Sequence, residues 1–70
     1  MVEIDPKAMG AELRRLRGSR SQQEVAEKVG ISRTTLAKYE LGTRTPRLAV
    51  LSSLCAYYRR SVEQILIPRK

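Results

Sequence analysis

The spacing of helix start and stop signals between Ser21 and Gly42 constrains this chain more than any other feature of its sequence. Ser21 is followed three residues later by Glu24, which is the capping-box spacing that starts a helix. Gly30 stands where the end of that helix favours a left-handed residue. Ser32 starts the next helix only two residues after Gly30, and Gly42 ends it. Two short helices therefore follow each other through a very tight connection.

Such a helix pair needs a small residue at the crossing, a turn residue that tolerates positive φ, and apolar side chains that hold the two helices together. Ala26 supplies the small residue, and Gly30 supplies the turn. The apolar candidates are Val25, Val29, Ile31, Leu36 and Tyr39. Residues 21–41 therefore predict a helix-turn-helix unit.

Similar signals predict three further helices. Asp5-Pro6 starts the first, and Gly18-Ser19 ends it. Thr45-Pro46 predicts the start of the fourth, and Ser61 with Gln64 forms a capping box for a short fifth helix. The residues expected to point inward from the fourth helix are Leu48, Leu51, Leu54, Cys55 and Tyr58. No stretch alternates like a strand, so we expect an all-α fold of five helices in a single domain over residues 1–70.

The composition excludes most enzyme classes. The chain has 70 residues, no His and one Cys. Nucleophilic triads that need His, closed Cys/His zinc sites and internal disulfides are therefore impossible within one chain. We expect no catalysis, no metal and no cofactor. Cys55 falls on an apolar stripe and is expected to be a core residue.

The charge balance points to an anionic partner. Fourteen Lys and Arg residues oppose seven Asp and Glu, which gives a formal net charge of +7. A basic domain rich in Arg attracts polyanions and can bind phosphates and base edges through two parallel hydrogen bonds. The longest apolar-leaning stretch, residues 48–58, is too short to span a bilayer, and the acidic N-terminus lacks a signal-peptide core. We therefore expect a cytoplasmic protein that does not bind membranes.

The outer face of the third helix concentrates the candidate binding residues. At about 100° per residue from Arg33, Ala37 lies at about 40°, Thr34 at about 100° and Lys38 at about 140°. Leu36 lies on the other side of the helix with Tyr39. A recognition helix places its N-terminal half in the major groove of DNA, where Arg can bind guanine and Thr can contact thymine. The pattern predicts base contacts from Arg33, Thr34, Ala37 and Lys38.

Residues 13–66 resemble the helix-turn-helix family of the Cro and phage-repressor type, also called xenobiotic-response-element-like. The matching segments are LRRLR, SQQEVAEKVGISRTTLAKYELGTRTP and SVEQIL. The resemblance implies a five-helix fold of the lambda-repressor type that binds duplex DNA. It also implies a transcriptional regulator, usually a repressor that binds a near-palindromic operator as a homodimer.

The resemblance assigns further roles. Gln22 matches a residue that touches a phosphate and braces the recognition helix, and Arg15 with Glu40 matches a buried ion pair. The loop after the third helix matches a phosphate-binding segment through Thr43 and Arg44, followed by Arg47. The set of expected phosphate contacts is completed by Ser21, at an anion-attracting helix N-terminus, Thr35 and Arg20.

Some positions depart from the family pattern. Arg20 and Arg60 stand where apolar residues usually precede the caps of helices two and five, and we expect Arg20 to contact phosphate. Arg59 stands where Gly or Asn usually ends helix four, so either it is strained or the helix runs longer. Leu41 replaces a residue that is more often polar.

Two surfaces remain open to alternatives. One of Tyr57 and Tyr58 should pack inward, because the two lie about 100° apart on the helix. The exposed one, with Ile65 and Ile67, is a candidate dimer interface. An alternative function is that of a small antitoxin or other protein-interaction partner. Its docking surface would be Arg59, Arg60 and the segment 65–68.

Overall fold

The computed structural model describes residues 5–66, and these residues form five α-helices with no strand among them. The helices are α1 Pro6–Arg17, α2 Gln22–Val29, α3 Arg33–Leu41, α4 Leu48–Tyr58 and α5 Val62–Leu66. The all-α, five-helix prediction is confirmed. Over the same residues, every helix is too short or too polar to cross a membrane.

The predicted start signals cap their helices through side-chain hydrogen bonds. The Asp5 carboxylate accepts from the amides of Lys7 and Ala8, at 3.0 and 3.2 Å. Ser61 and Gln64 form the reciprocal capping box, because each side chain accepts a hydrogen bond from the other residue's backbone amide. The hydroxyl groups of Ser21 and Ser32 cap α2 and α3 by accepting from the backbone amides of Glu24 and Thr35. Local side-chain chemistry therefore sets these boundaries.

Helices α2, α3 and α4 end in one common geometry. The residue after each helix adopts a left-handed conformation: Gly30 at φ 79°, Gly42 at φ 80° and Arg59 at φ 57°. In each case the next amide donates to the carbonyl five residues earlier, as in a Schellman motif. Among residues 5–66, Arg59 is the only non-glycine residue with positive φ. Helix α4 therefore does not run longer, and Arg59 takes the strained alternative.

The predicted start of α4 is wrong by two residues. Arg47, in an extended conformation, is the N-cap, and the first helical residue is Leu48 rather than Pro46. Leu48 was expected to point inward, but it is 72% exposed. It lies in the first turn, about 60° around the helix from the buried Leu51, and so at the edge of the apolar stripe.

The core joins all five helices, and α1 packs closely on α3. Its buried apolar residues are Met9, Leu13, Val25, Ala26, Leu36, Tyr39, Leu51, Leu54, Cys55, Tyr58 and Ile65. Gly10 lies where the backbones of α1 and α3 come close together. A Cβ atom placed there would lie 2.5 Å from the carbonyl oxygen of Glu40. The backbone of α1 thus contacts the C-terminal end of α3 directly. This contact sets the distance between the two helices.

Candidate nucleic-acid interface

Helix α3 presents the predicted base-contact residues on its free side. Arg33, Thr34 and Lys38 are exposed, and Ala37 is half-buried. On the other side of the helix, Leu36 and Tyr39 are buried in the core. The structure therefore places the four residues together on one accessible arc, while their contacts with DNA stay a prediction.

The N-terminal end of α3 is ordered by Ser32 and Thr35. The Ser32 hydroxyl accepts from the Thr35 amide at 3.1 Å, and the two hydroxyl groups lie 2.7 Å apart. Thr35 was predicted to contact phosphate, and its hydroxyl is already engaged with Ser32. A phosphate would have to share that hydroxyl group with the cap.

The C-terminal end of α3 is held by Glu40, whose carboxylate joins three helices. The Arg17 guanidinium donates to both carboxylate oxygens, with Nε–Oε2 at 2.8 Å and Nη2–Oε1 at 3.1 Å. Gln22 Nε2 donates to Oε1 at 3.0 Å. The side chains of Arg17 and Glu40 are only 16% and 3% exposed. We call Arg17, Gln22 and Glu40 the Glu40 cluster.

The predicted Arg15–Glu40 ion pair is wrong. Arg15 instead pairs with Glu12 on the surface of α1, with Nη2–Oε2 at 2.6 Å. The reason is helical geometry: Arg17 lies about 40° from the buried Leu13, whereas Arg15 lies about 160° away and points out of the domain. The Glu40 pairing could have been found in the sequence from this periodicity.

Gln22 occupies a position that fits both of its predicted roles. It is the first residue of α2, and its amide group braces the end of α3 through Glu40. It also lines an open hollow of about 270 Å³ between α1, α2 and α3. The other lining residues are Arg14, Arg17, Ala37, Glu40 and Leu41. The brace is observed, and the phosphate contact stays a prediction.

The loop after α3 carries exposed polar and basic groups. Thr43, Arg44 and Arg47 are exposed, and the Thr43 hydroxyl donates to the Lys38 carbonyl at 3.3 Å. This loop follows directly on the C-terminal end of α3 and leads to α4. Ser21 is also exposed, and its hydroxyl caps the amide of Glu24. The structure leaves all four accessible to a ligand.

Arg20 is exposed but not isolated. Its guanidinium carbon lies 5.3 Å from the ring centroid of Tyr57 and 5.8 Å from that of Tyr58. These distances are typical of cation–π contacts. Arg20 thus ties the α1–α2 turn to the end of α4, where the family pattern has an apolar side chain. Its predicted phosphate contact would have to coexist with this stacking.

The predicted dimer surface is only partly available. Ile65 is fully buried in the core and is wrong as an interface residue. Tyr58, at 8% exposed, is the tyrosine of the pair that packs inward, so it is not an interface residue either. Tyr57 is half-buried and remains a candidate. Ile67 lies outside the described residues. Leu41 and Leu48, which sequence reasoning did not include, are the most exposed large apolar side chains among residues 5–66.

Tyr58 also carries an unusual polar group. Its hydroxyl is buried and finds no hydrogen-bond partner within the described part of the chain. Removal from water, together with the nearby negative charge of Glu40, raises the pKa of Tyr58 to about 12. The ring, rather than the hydroxyl, is what this residue contributes to the core.

The five-helix arrangement is shared with known DNA-binding regulators. The P22 c2 repressor, solved with a synthetic operator, superposes with a TM-score of 0.84 at 22% identity, covering 87% of this chain and 96% of that one. The clp gene regulator ClgR from Corynebacterium glutamicum gives a TM-score of 0.80 at 30% identity, covering 93% of this chain and 71% of that one. The controller protein C.AhdI from Aeromonas hydrophila gives 0.79 at 25% identity, covering 87% and 96%.

Comparison of the sequence with protein families leads to the same kind of protein as the structural comparison. A search of curated proteins gave no match. The family described as helix-turn-helix domain matches residues 8–66, which is most of the chain. The chain therefore belongs to the helix-turn-helix domain family, and its fold is that of the Cro and phage-repressor type of DNA-binding transcriptional regulator.

Proposed function

We propose that this chain represses transcription by binding a specific duplex DNA sequence, as a homodimer on a near-palindromic operator. One observation carries the proposal: α3 exposes Arg33, Thr34 and Lys38 on one arc, while the Glu40 cluster and the core hold its opposite side. A rigid helix with donors on its free side is what reading of base edges requires.

The charge distribution supports a duplex as ligand. The arc carries two cations, and the adjoining loop adds Arg44 and Arg47. Phosphate contacts supply affinity without sequence information, while base contacts supply the discrimination. The net charge of +7 adds long-range attraction that salt weakens. The protein would act in the cytoplasm by occupying the operator, without catalysis.

The size of the reading surface supports a twofold dimer. One α3 of nine residues contacts only a few base pairs. Two copies would place their α3 helices about 34–36 Å apart, one helical turn of DNA. Tyr57, at the end of α4, is the half-buried aromatic residue that such an interface could cover.

Selection of bound sequences from a random duplex pool tests the proposal. An inverted repeat in the selected sequences is expected, and failure to enrich any sequence at low salt would refute it. Arg33→Ala should cost about 1–3 kcal/mol at one base position and relax the preference there. Lys28→Ala, an exposed lysine on α2, is the matched control and should keep the preference. Equal weakening on all sequences would make Arg33 a phosphate contact instead.

The phosphate assignment of Arg20 has its own test. Arg20→Ala should reduce the slope of log affinity against log salt by about one unit. An unchanged slope would leave Arg20 with its stacking on Tyr57 and Tyr58 alone.

Of the docking surface predicted for a protein partner, Ile65 is buried and therefore not available. Ile67 and Pro68 lie outside the described residues. Arg59 and Arg60 are exposed. Co-purification of a stoichiometric protein partner, with no sequence enriched from the DNA pool, would favour this alternative over the operator-binding function.

A further inference from the structure

Leu41 lies within the arc of α3 that carries the predicted base contacts. It is the last residue of α3 and is 68% exposed. At about 100° per residue it lies about 80° from Arg33, between Ala37 at about 40° and Lys38 at about 140°. A large aliphatic side chain therefore faces the same direction as Arg33, Thr34 and Lys38.

Leu41 continues an apolar strip that begins at Ala37. The two residues are one helical turn apart, about 6 Å along the axis, and both line the hollow beside α3. The Arg17–Glu40 ion pair lines the hollow with charges that offset each other, and Arg14 lines it as well. Lys38 lies on the same arc, so the net charge around the strip is positive. The positive charge favours a polyanion as the ligand of this surface. Ala37 and Leu41 favour a polyanion that also carries an apolar group for them to contact.

Base edges in the major groove offer one such group, the C5-methyl of thymine. We propose that Leu41, together with Ala37, contacts a thymine methyl group and is a specificity-determining residue. The inference rests on the proposed function, because it needs α3 in the major groove. It goes further in assigning a preference for thymine to an apolar residue at the C-terminal end of α3.

Replacement of thymine by deoxyuridine tests this contact, since it removes only the methyl group. Each thymine of the selected duplex is replaced in turn, and affinity is measured for the wild type, Leu41→Ala and Leu48→Ala. For the wild type, one replacement should weaken binding about fourfold, as expected for one buried methyl-sized group. Leu41→Ala should respond clearly less than the wild type to that replacement, because only the smaller contact from Ala37 remains.

Leu48→Ala is the matched control, because it shortens an equally exposed leucine that lies on α4 rather than on the arc. It should keep the wild-type response to deoxyuridine. The inference is overturned if Leu41→Ala keeps that response, if it weakens binding equally with thymine and deoxyuridine, or if no replacement affects the wild type. In each of these results the duplex is still bound, whereas failure of the proposed function leaves no selected duplex to modify. Melting curves of the free variants confirm that each is folded.

Discussion

Gly10→Ala gives the sharpest test of how α1 and α3 pack. Inside an exposed helix this change stabilises folding by about 1 kcal/mol, because glycine is a poor helix former. At this position the new Cβ would meet the Glu40 carbonyl, 2.5 Å from the oxygen and 2.8 Å from the carbon, and it would also meet the Tyr39 carbonyl oxygen. The sign of the measured effect therefore decides between local propensity and tertiary contact.

We expect the contact to dominate. Overpacking of this kind costs about 1–3 kcal/mol, and backbone atoms cannot rotate out of the way as a side chain could. With a cost near the upper end, the net loss is about 2 kcal/mol after the gain in propensity. For a domain of this size that corresponds to a fall in Tm of roughly 8–16 °C.

Urea unfolding followed by far-UV circular dichroism measures this difference at constant m-value. Ala11→Gly, at the exposed neighbouring position, is the control and should cost about 1 kcal/mol through propensity alone. A Gly10→Ala protein as stable as the wild type, or more stable, would refute the close approach of α1 to α3.

Three further substitutions test the cluster, the buried hydroxyl and the helix end. Glu40→Gln should destabilise folding by about 3–5 kcal/mol in urea because it leaves Arg17 buried without its counter-charge, whereas Glu12→Gln, at the surface pair, should cost less than about 1 kcal/mol. Tyr58→Phe should keep or slightly raise stability at neutral pH. In the wild type the unfolded state loses the Tyr58 proton near pH 10, before the folded state does at about 12, so stability should fall over this interval more steeply than in Tyr58→Phe. Arg59→Gly should raise stability by about 1 kcal/mol by relieving the left-handed conformation, and no rise in Tm would contradict that strain.

Local signals predicted much of the fold, because helix boundaries here depend on nearby atoms. The caps at Ser21, Ser32 and Ser61 act within three residues, and sequence spacing alone reveals them. The start of α4 was missed because Pro46 fits a first helical turn equally well. The extended Arg47 that delays the helix has no signature of its own.

Site predictions depended on tertiary contacts and were less complete. The arc on α3 was predictable from periodicity, since its residues share one helix. The partner of Glu40 depended on which arginine of α1 faces α3, and an argument from resemblance selected Arg15 instead of Arg17. The stacking of Arg20 on Tyr57 was not predictable, because it joins residues far apart in the chain through a turn and a helix end.

The Glu40 cluster anchors one side of the nine-residue helix α3 to α1 and α2. The other side of α3 takes no part in this anchoring. Exposed side chains away from buried networks are usually exchanged at a cost within about ±0.5 kcal/mol, so new residues at positions 33, 34 and 38 should leave the domain folded. Glu40 lacks that freedom, since three helices converge on its carboxylate. Under the proposed function, a lineage of such proteins can therefore acquire new operators by exchanging a few outward-facing side chains, while inheriting its scaffold unchanged.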